Sequence, residues 1–196
     1  MWDERYATDE FMYGTEPNDF LVEHAHSLIG PVLSLAEGEG RNAVYLASLG
    51  LDVLGVDASA VGLAKARRLA ALKGVAIQTE VMDLTRYAPL PHSVGSVVAI
   101  FAHFPAEERR RVHRAVEHAL KPGGLILLEG YGKSQIGYGT GGPRDAAMLF
   151  ASADIASDFS CCDVLLCREI EREVVEGKLH TGKASVVQFI GRKRPD

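Results

Sequence analysis

The residues best suited to chemistry lie in a glycine-rich segment, VLSLAEGEGRNAVYLA, residues 32–47. Gly38 and Gly40 stand where an apolar run gives way to an amphipathic one, and Gly38-x-Gly40-x-x-Ala43 has the loose spacing of a nucleotide-binding loop. Glycine suits such a loop because a β-carbon would hold a ligand away from the backbone. Asp57 ends the next apolar run, where a carboxylate can accept hydrogen bonds from both hydroxyls of a ribose. Together these residues predict a site for an adenosine-containing ligand.

A third acidic residue, Asp83 in the sequence VMDL, ends the following apolar run. At that edge of a parallel sheet its carboxylate can accept from the exocyclic amine of adenine, and the backbone N–H of Leu84 can reach a ring nitrogen. The plainer interpretation is a tight turn with a helix-capping Asp57 and a turn-forming Asp83 before Leu84 and Thr85.

The charge of the loop distinguishes two ligand classes. Glu37 and Glu39 lie inside it, and Arg41 is the only basic residue near them in the sequence. These carboxylates would repel the pyrophosphate of a dinucleotide such as NAD. S-adenosyl-L-methionine keeps the adenosine but carries a sulfonium and an ammonium, which the same field attracts. We therefore predict S-adenosyl-L-methionine as the cofactor.

The elements that must position these residues alternate between apolar strands and amphipathic helices. Strands are predicted over about 32–36, 52–56, 75–82, 96–102 and 125–129, and helices over 18–29, 41–48, 59–74, 105–124 and about 144–158. Two closing strands, 163–175 and 184–192, are joined by a turn around EGKLHTG that is too short for a parallel crossover. This order predicts an open, mostly parallel sheet with helices on both faces, closed by an antiparallel hairpin.

Composition limits the remaining possibilities. The chain has 196 residues, 47% of them hydrophobic, which suits one domain with a substantial core. A formal net charge of −5 argues against nonspecific binding to nucleic acid or to an anionic membrane, and no apolar run could span a bilayer. The acidic start has no secretory leader, and the three cysteines fit reduced thiols better than disulfides or a metal site. We expect a cytoplasmic protein without a bound metal.

Several segments together make the whole chain resemble the class I S-adenosylmethionine-dependent methyltransferases. Within that class it is most similar to the small bacterial group related to the tellurite-resistance methyltransferase TehB and, more distantly, to thiopurine methyltransferase. The segments are WDERYATDEFMYGTEPNDFL, EGEGRNAVYLA, GVDAS, LKPGG, YGTGGP and EREVVEGKLHTG. The resemblance implies a Rossmann-like three-layer sandwich whose seven strands have the order 3-2-1-4-5-7-6, with only strand seven antiparallel.

The same resemblance implies roles for the loop and its acids. Gly38 and Gly40 would contact the methionine part of the cofactor, Asp57 the ribose and Asp83 the adenine. The chain departs from the class where members usually have Asp-x-Gly-Cys-Gly, because residues 34–38 here read Ser-Leu-Ala-Glu-Gly. The acidic residue is thus shifted by three positions, and either Glu37 or backbone carbonyls would hold the ammonium group.

Candidates for contact with a methyl acceptor follow the later strands. Methyl transfer from a sulfonium is an in-line displacement, so the protein chiefly aligns the reactants and excludes water, and a soft nucleophile needs little help from a base. His103, His180 and Tyr138 are the predicted catalytic residues, and Tyr131 flanks the same loop as Tyr138. Their plainer interpretations are a core or capping histidine, a solvated turn histidine and a loop anchor, respectively.

The aromatic N-terminal segment, residues 1–28, is predicted to cover cofactor and acceptor. It contains Tyr13, and Arg5 in it could meet the cofactor carboxylate. The alternative is a surface helix packed on the domain.

We therefore expect a single domain over residues 1–196 that transfers a methyl group to a small molecule, such as a metalloid oxyanion or a thiol, as a monomer or homodimer. The alternatives are a non-catalytic S-adenosylmethionine-binding module and an NAD-binding oxidoreductase domain. The predicted cofactor-binding residues are Arg5, Tyr13, Ala36, Glu37, Gly38, Gly40, Asn42, Asp57, Ala58, Asp83 and Leu84.

Overall fold

A seven-stranded β-sheet forms the middle layer of the computed structural model, which describes residues 2–195. Its strands are β1 (Val32–Leu35), β2 (Val53–Asp57), β3 (Gln78–Val81), β4 (Val94–Ile100), β5 (Leu120–Tyr131), β6 (Cys162–Glu176) and β7 (His180–Lys193). They lie in the order β3-β2-β1-β4-β5-β7-β6, and β7 runs antiparallel to both of its neighbours. The predicted fold class and strand order are confirmed. Met1, where the predicted cover begins, and Asp196 lie outside the described residues.

Six α-helices cover the sheet: α1 (Trp2–Tyr6), α2 (Asp19–His24), α3 (Arg41–Ser48), α4 (Ala60–Leu72), α5 (Ala106–Ala119) and α6 (Ser152–Asp158). Two predicted caps form, because the side chain of Asn18 accepts from Leu21 N at 3.0 Å and that of Ser59 accepts from Gly62 N at 2.9 Å. None of the described helices combines the length and the apolar character that crossing a membrane requires.

Two hydrophobic clusters hold these helices to opposite faces of the sheet. Along β1 the side chains alternate, so that Val32 packs with residues of α2 and α3, whereas Leu33 packs with residues of α5 and α6. β1 is fully buried, as expected of a central strand covered on both faces. The carboxyl ends of β1 and β4 are thereby fixed side by side.

Some predicted boundaries were wrong. β3 begins at Gln78 instead of residue 75, and β5 begins at Leu120 instead of 125. The predicted helix over 18–29 ends at His24 and continues as a short 3₁₀ turn. The predicted helix near 144–158 divides into a 3₁₀ turn at 146–148 and α6, with the buried Phe150 between them.

The closing hairpin is longer than predicted. β6 and β7 remain paired to Glu176 and His180, because Gly177 takes a left-handed φ of 71° and closes the turn. His180 is therefore the first residue of β7 and lies at the carboxyl edge of the parallel strands.

Candidate functional site

A cavity of about 840 Å³ opens at the carboxyl ends of β1, β2 and β4. The strand order reverses between β1 and β4, and open α/β sheets bind ligands at such a switch point. Most of the predicted site residues contribute to its wall: Arg5, Tyr13, Ala36, Glu37, Gly38, Asn42, Asp57, Ala58, Asp83, Leu84, His103 and His180. Gly40 and Tyr138 are not among the lining residues. The volume is within the usual range of about 300–1,000 Å³ for small-molecule sites.

The glycine loop turns sharply away from the end of β1. Ala36, Gly38 and Gly40 all have left-handed φ angles, of 50°, 59° and 94°. A β-carbon on Gly38 would lie 2.7 Å from the hydroxyl oxygen of Tyr6, so only glycine fits beneath that ring. Gly38 and the Tyr6 ring that packs on it together form part of one wall of the cavity.

Glu37 directs its buried carboxylate at the start of α3. Its Oε1 accepts from Ala43 N at 2.9 Å, and its Oε2 accepts from the hydroxyl of Ser34. Burial raises the pKa of Glu37 to about 7. A carboxylate of the chain itself thus occupies the helix N-terminus at which a dinucleotide fold binds its pyrophosphate.

Glu39 is neutralised by a cation that the sequence analysis missed. Buried Lys65, on α4, forms an ion pair with Glu39 and donates to the carbonyls of Tyr6 and Thr8, at 3.4 and 2.9 Å. The ion-pair partner of Glu39 is thus not Arg41, the basic residue nearest to it in the sequence. Arg41 pairs with Glu176 at the end of β6.

Gly40 supports helix packing instead of lining the cavity. A β-carbon there would lie 2.6 Å from both Cα and Cβ of Ala66, so α3 and α4 could not approach as closely as they do. This geometry gives no support to the predicted contact between Gly40 and the cofactor, which stays a prediction.

Asp57 and Asp83 mark the next two positions along the strand edge. Asp57 accepts from Gly38 N at 2.9 Å and from Ser59 N at 2.7 Å, and burial raises the pKa of its carboxyl. Each oxygen keeps a further lone pair for a ligand. Asp83 is less enclosed and accepts from the hydroxyl and the N–H of Thr85, which lowers its pKa. It therefore both caps a turn and lines the cavity.

The N-terminal segment forms one side of the cavity. Arg5 donates to the hydroxyl of Tyr13 at 3.0 Å, and its guanidinium lies 4.7 Å from the centre of the Trp2 ring. The N–H of Tyr13 donates to Glu39 at 3.2 Å, which joins this segment to the glycine loop. Asn42 accepts from Asn18 N at 3.0 Å, so it also anchors the segment.

The three predicted catalytic residues have different surroundings. Both nitrogens of His103 are engaged: Nδ1 lies 2.9 Å from the carbonyl oxygen of Met148, and Nε2 accepts from Tyr131 N at 3.1 Å. His103 therefore positions backbone and has no nitrogen left for an acceptor. Tyr138 bonds to Glu171 outside the cavity. Neither geometry supports the catalytic role predicted for these residues.

The ring of His180, the third predicted catalytic residue, contacts aromatic side chains that line the cavity. Its ring centre lies 4.7 Å from that of Tyr13 and 4.9 Å from that of Phe101. Burial lowers the pKa of His180 to about 4, so the imidazole is neutral near pH 7. The sequence analysis missed Phe101 and gave Tyr131 only a place beside the loop. In the structure Phe101 directly follows β4 and Tyr131 ends β5, and both line the cavity.

Comparison with known proteins places this site in context. Residues 32–124, just under half of the chain, match a family described as "Methyltransferase domain". The 2-heptyl-1-hydroxyquinolin-4(1H)-one methyltransferase of Mycobacteroides abscessus is 26% identical over 118 residues, which are 59% of this chain and 52% of that protein. The chain thus spans about half the length of this curated relative.

Solved structures share the fold at low identity. TehB from Haemophilus influenzae superposes with a TM-score of 0.73 at 20% sequence identity, over 98% of this chain and 66% of that chain. The N-methyltransferase NodS from Bradyrhizobium japonicum WM9, solved in complex with S-adenosyl-L-homocysteine, superposes with a TM-score of 0.72 at 10% sequence identity. The match covers 99% of this chain and 97% of that chain. The family match over residues 32–124 supports the predicted methyltransferase and its cofactor, S-adenosyl-L-methionine. The single domain over residues 1–196 stays a prediction.

Proposed function

We propose that the chain is an S-adenosylmethionine-dependent methyltransferase that acts on a small molecule. The observation that carries this proposal is the position of Glu37, whose carboxylate lies in the cavity wall against the N-terminus of α3. There it disfavours a pyrophosphate and favours a cationic group. Because the ion pair with Lys65 neutralises Glu39, Glu37 is the loop acid that discriminates between an anionic and a cationic ligand.

The surrounding residues fit an adenosyl cofactor. Gly38 lines the cavity, Asp57 keeps lone pairs that would accept from ribose hydroxyls, and Asp83, which also lines the cavity, would accept from adenine. Arg5 uses one of its five N–H groups on Tyr13 and retains others for a carboxylate. When bound, S-adenosylmethionine supplies an activated methyl group, and the protein's part is to bind, orient and exclude water.

The proposed acceptor carries a soft nucleophile, either a thiol or a metalloid oxyanion. Such groups need little base assistance, which suits a site whose one available histidine, His180, has a lowered pKa and is a weak base. The relative from Mycobacteroides abscessus is named for a hydroxyquinolone, so an aromatic hydroxyl is a further acceptor to test. Membership of the TehB-related group is part of this proposal.

The organisation of the chain is proposed on similar grounds. We take residues 1–196 as one domain, with the N-terminal segment as the cover, because Lys65 and Glu39 tie that segment to the loop and to α4. We propose a cytoplasmic location, with which the free thiols of Cys161, Cys162 and Cys167 are consistent. We also propose that the chain is a monomer or homodimer and that it binds neither nucleic acid nor a membrane.

Two measurements test this function. Isothermal titration should show binding of S-adenosyl-L-homocysteine and none of NAD, and the reverse result would end the proposal. Transfer of a labelled methyl group from S-adenosylmethionine should then occur with at least one of thiophenol, 4-hydroxyquinoline, selenite and tellurite. Binding of the cofactor without turnover on any acceptor would favour the non-catalytic module.

A further inference from the structure

Two buried polar atoms at one end of the cavity lack a hydrogen-bond partner among residues 2–195. They are the hydroxyl oxygen of Tyr131 and Nδ1 of His180. Both side chains adjoin Gly141, where an added β-carbon would lie 2.7 Å from the Tyr131 hydroxyl and 2.9 Å from Cδ2 of His180. Buried polar groups are nearly always paired, so two unpaired atoms beside one cavity indicate a ligand that pairs with them.

Aromatic rings surround these atoms. The ring of Phe101 lies 4.5 Å from that of Tyr131 and 4.9 Å from that of His180, measured between ring centres. Tyr131 and His180 are themselves 5.3 Å apart at an interplanar angle of 83°. Phe101, Tyr131 and His180 all line the cavity. This end of the cavity therefore offers an aromatic, mostly apolar wall with two polar atoms.

Neither polar point is charged near neutral pH. Burial raises the pKa of the Tyr131 hydroxyl and lowers the pKa of His180 to about 4. A neutral imidazole and a neutral hydroxyl can each satisfy an uncharged polar group.

The charged residues of the wall disfavour an anion. Six carboxylates line the cavity, those of Glu37, Glu39, Asp57, Asp83, Glu108 and Asp145, against three guanidinium groups, those of Arg5, Arg41 and Arg144. Ion pairs with Lys65 and Glu176 neutralise Glu39 and Arg41. An anionic acceptor would meet the remaining excess of negative charge.

We propose that Tyr131 and His180 select the methyl acceptor, and that this acceptor is a flat, uncharged aromatic or heteroaromatic molecule whose polar edge hydrogen-bonds to both residues. The inference rests on the proposed function and narrows its acceptor, giving an aromatic thiol or hydroxyl precedence over a metalloid oxyanion. Phe101 packs against the ring of the acceptor, and the two polar atoms fix its orientation.

The test measures binding of acceptor-like probes by ligand-observed NMR, with and without saturating S-adenosyl-L-homocysteine. The uncharged probes are 4-hydroxyquinoline and 2-mercaptopyridine; the anions are benzoate, matched in size, and selenite. We expect the uncharged probes to bind about tenfold more tightly than benzoate. Tyr131→Phe and His180→Phe keep the aromatic wall and should each weaken the uncharged probes about five- to tenfold, the usual effect of one lost hydrogen bond.

Tyr138→Phe is the matched control, because Tyr138 lies outside the cavity, and it should leave probe binding unchanged. Tyr131→Phe removes an unpaired hydroxyl, so its unfolding midpoint should be retained, which a purely structural role would not predict. Equal or tighter binding of benzoate or selenite, no binding of either uncharged probe, or no effect of Tyr131→Phe would overturn the inference. Failure to bind S-adenosyl-L-homocysteine would instead refute the proposed function, and the comparison of probes on the free protein would still decide the acceptor class.

Discussion

Protonation of Glu37 should weaken cofactor binding in a measurable pH window. The carboxyl is buried and its pKa is raised to about 7, so the group is mostly neutral at pH 6 and mostly ionised at pH 7.5. A cofactor amino group, with a pKa of about 7.7–8.0, is cationic at pH 6 and still mostly cationic at pH 7.5. The cation should favour the ionised carboxylate, and affinity should therefore rise with pH.

The size of the effect follows from the pKa of Glu37. If the ionised form alone binds, the apparent Kd varies as one plus ten raised to the power (pKa − pH). Between pH 7.5 and pH 6.0 the Kd should then increase about eightfold, equivalent to about 1.2 kcal/mol. His103 and His180 do not contribute, because burial lowers the pKa of each to about 4 and both remain neutral over the window.

Isothermal titration with S-adenosyl-L-homocysteine at pH 6.0, 6.5, 7.0 and 7.5 measures this dependence. Glu37→Gln is the matched control, since it retains the side-chain length and a hydrogen-bond acceptor but does not titrate. The variant should bind weakly at every pH, with little change across the series. A wild-type Kd that changes less than twofold, or an equal slope in the variant, would refute the assigned role of Glu37.

Three further substitutions test the loop and its supports. Asp57→Ala should weaken binding of S-adenosyl-L-homocysteine by about 1.5–3 kcal/mol in the same titration, because charged hydrogen bonds to the ligand are lost. Gly40→Ala should lower the free energy of unfolding in urea by about 1–3 kcal/mol, because its β-carbon would meet Ala66 at 2.6 Å. Lys65→Met should lower the same free energy by about 3–5 kcal/mol, because it leaves the carboxylate of Glu39 buried without its ion pair.

Lys65→Met has a matched control variant, and each of the three predictions has a result that would contradict it. Lys73→Met, on the exposed end of α4, should change the free energy of unfolding by less than about 0.5 kcal/mol. A Lys65→Met protein as stable as Lys73→Met would show that the buried pair adds nothing. Unchanged affinity in Asp57→Ala would mean that the ribose is held elsewhere, and a Gly40→Ala protein of normal stability would show that α3 and α4 can separate at little cost.

Local patterns were sufficient to predict the fold class, whereas the strand order was an implication of the family resemblance. The apolar run before Gly38, the caps Asn18 and Ser59 and the short final turn are all encoded within a few residues, and they specify strands, helix starts and an antiparallel hairpin. The acids at the strand ends were predictable for the same reason, because the carboxyl ends of parallel strands meet at one edge.

Contacts between distant segments were not predictable in this way. Lys65 pairs with Glu39 across 26 positions of sequence, and in the sequence it is one basic residue of an amphipathic helix. The sequence indicated that His103 was available to a methyl acceptor, but in the structure its two nitrogens are engaged by Tyr131 N and the Met148 carbonyl. Such pairings depend on the assembled sheet, and a single sequence carries no sign of them.

A crystal structure with S-adenosyl-L-homocysteine bound tests the central claim most directly. We expect the ligand's amino group within hydrogen-bond distance of the Glu37 carboxylate, with the ribose hydroxyls on Asp57. Glu37 turned out of the cavity, with a diphosphate from soaked NAD on the N–H of Ala43, would contradict it.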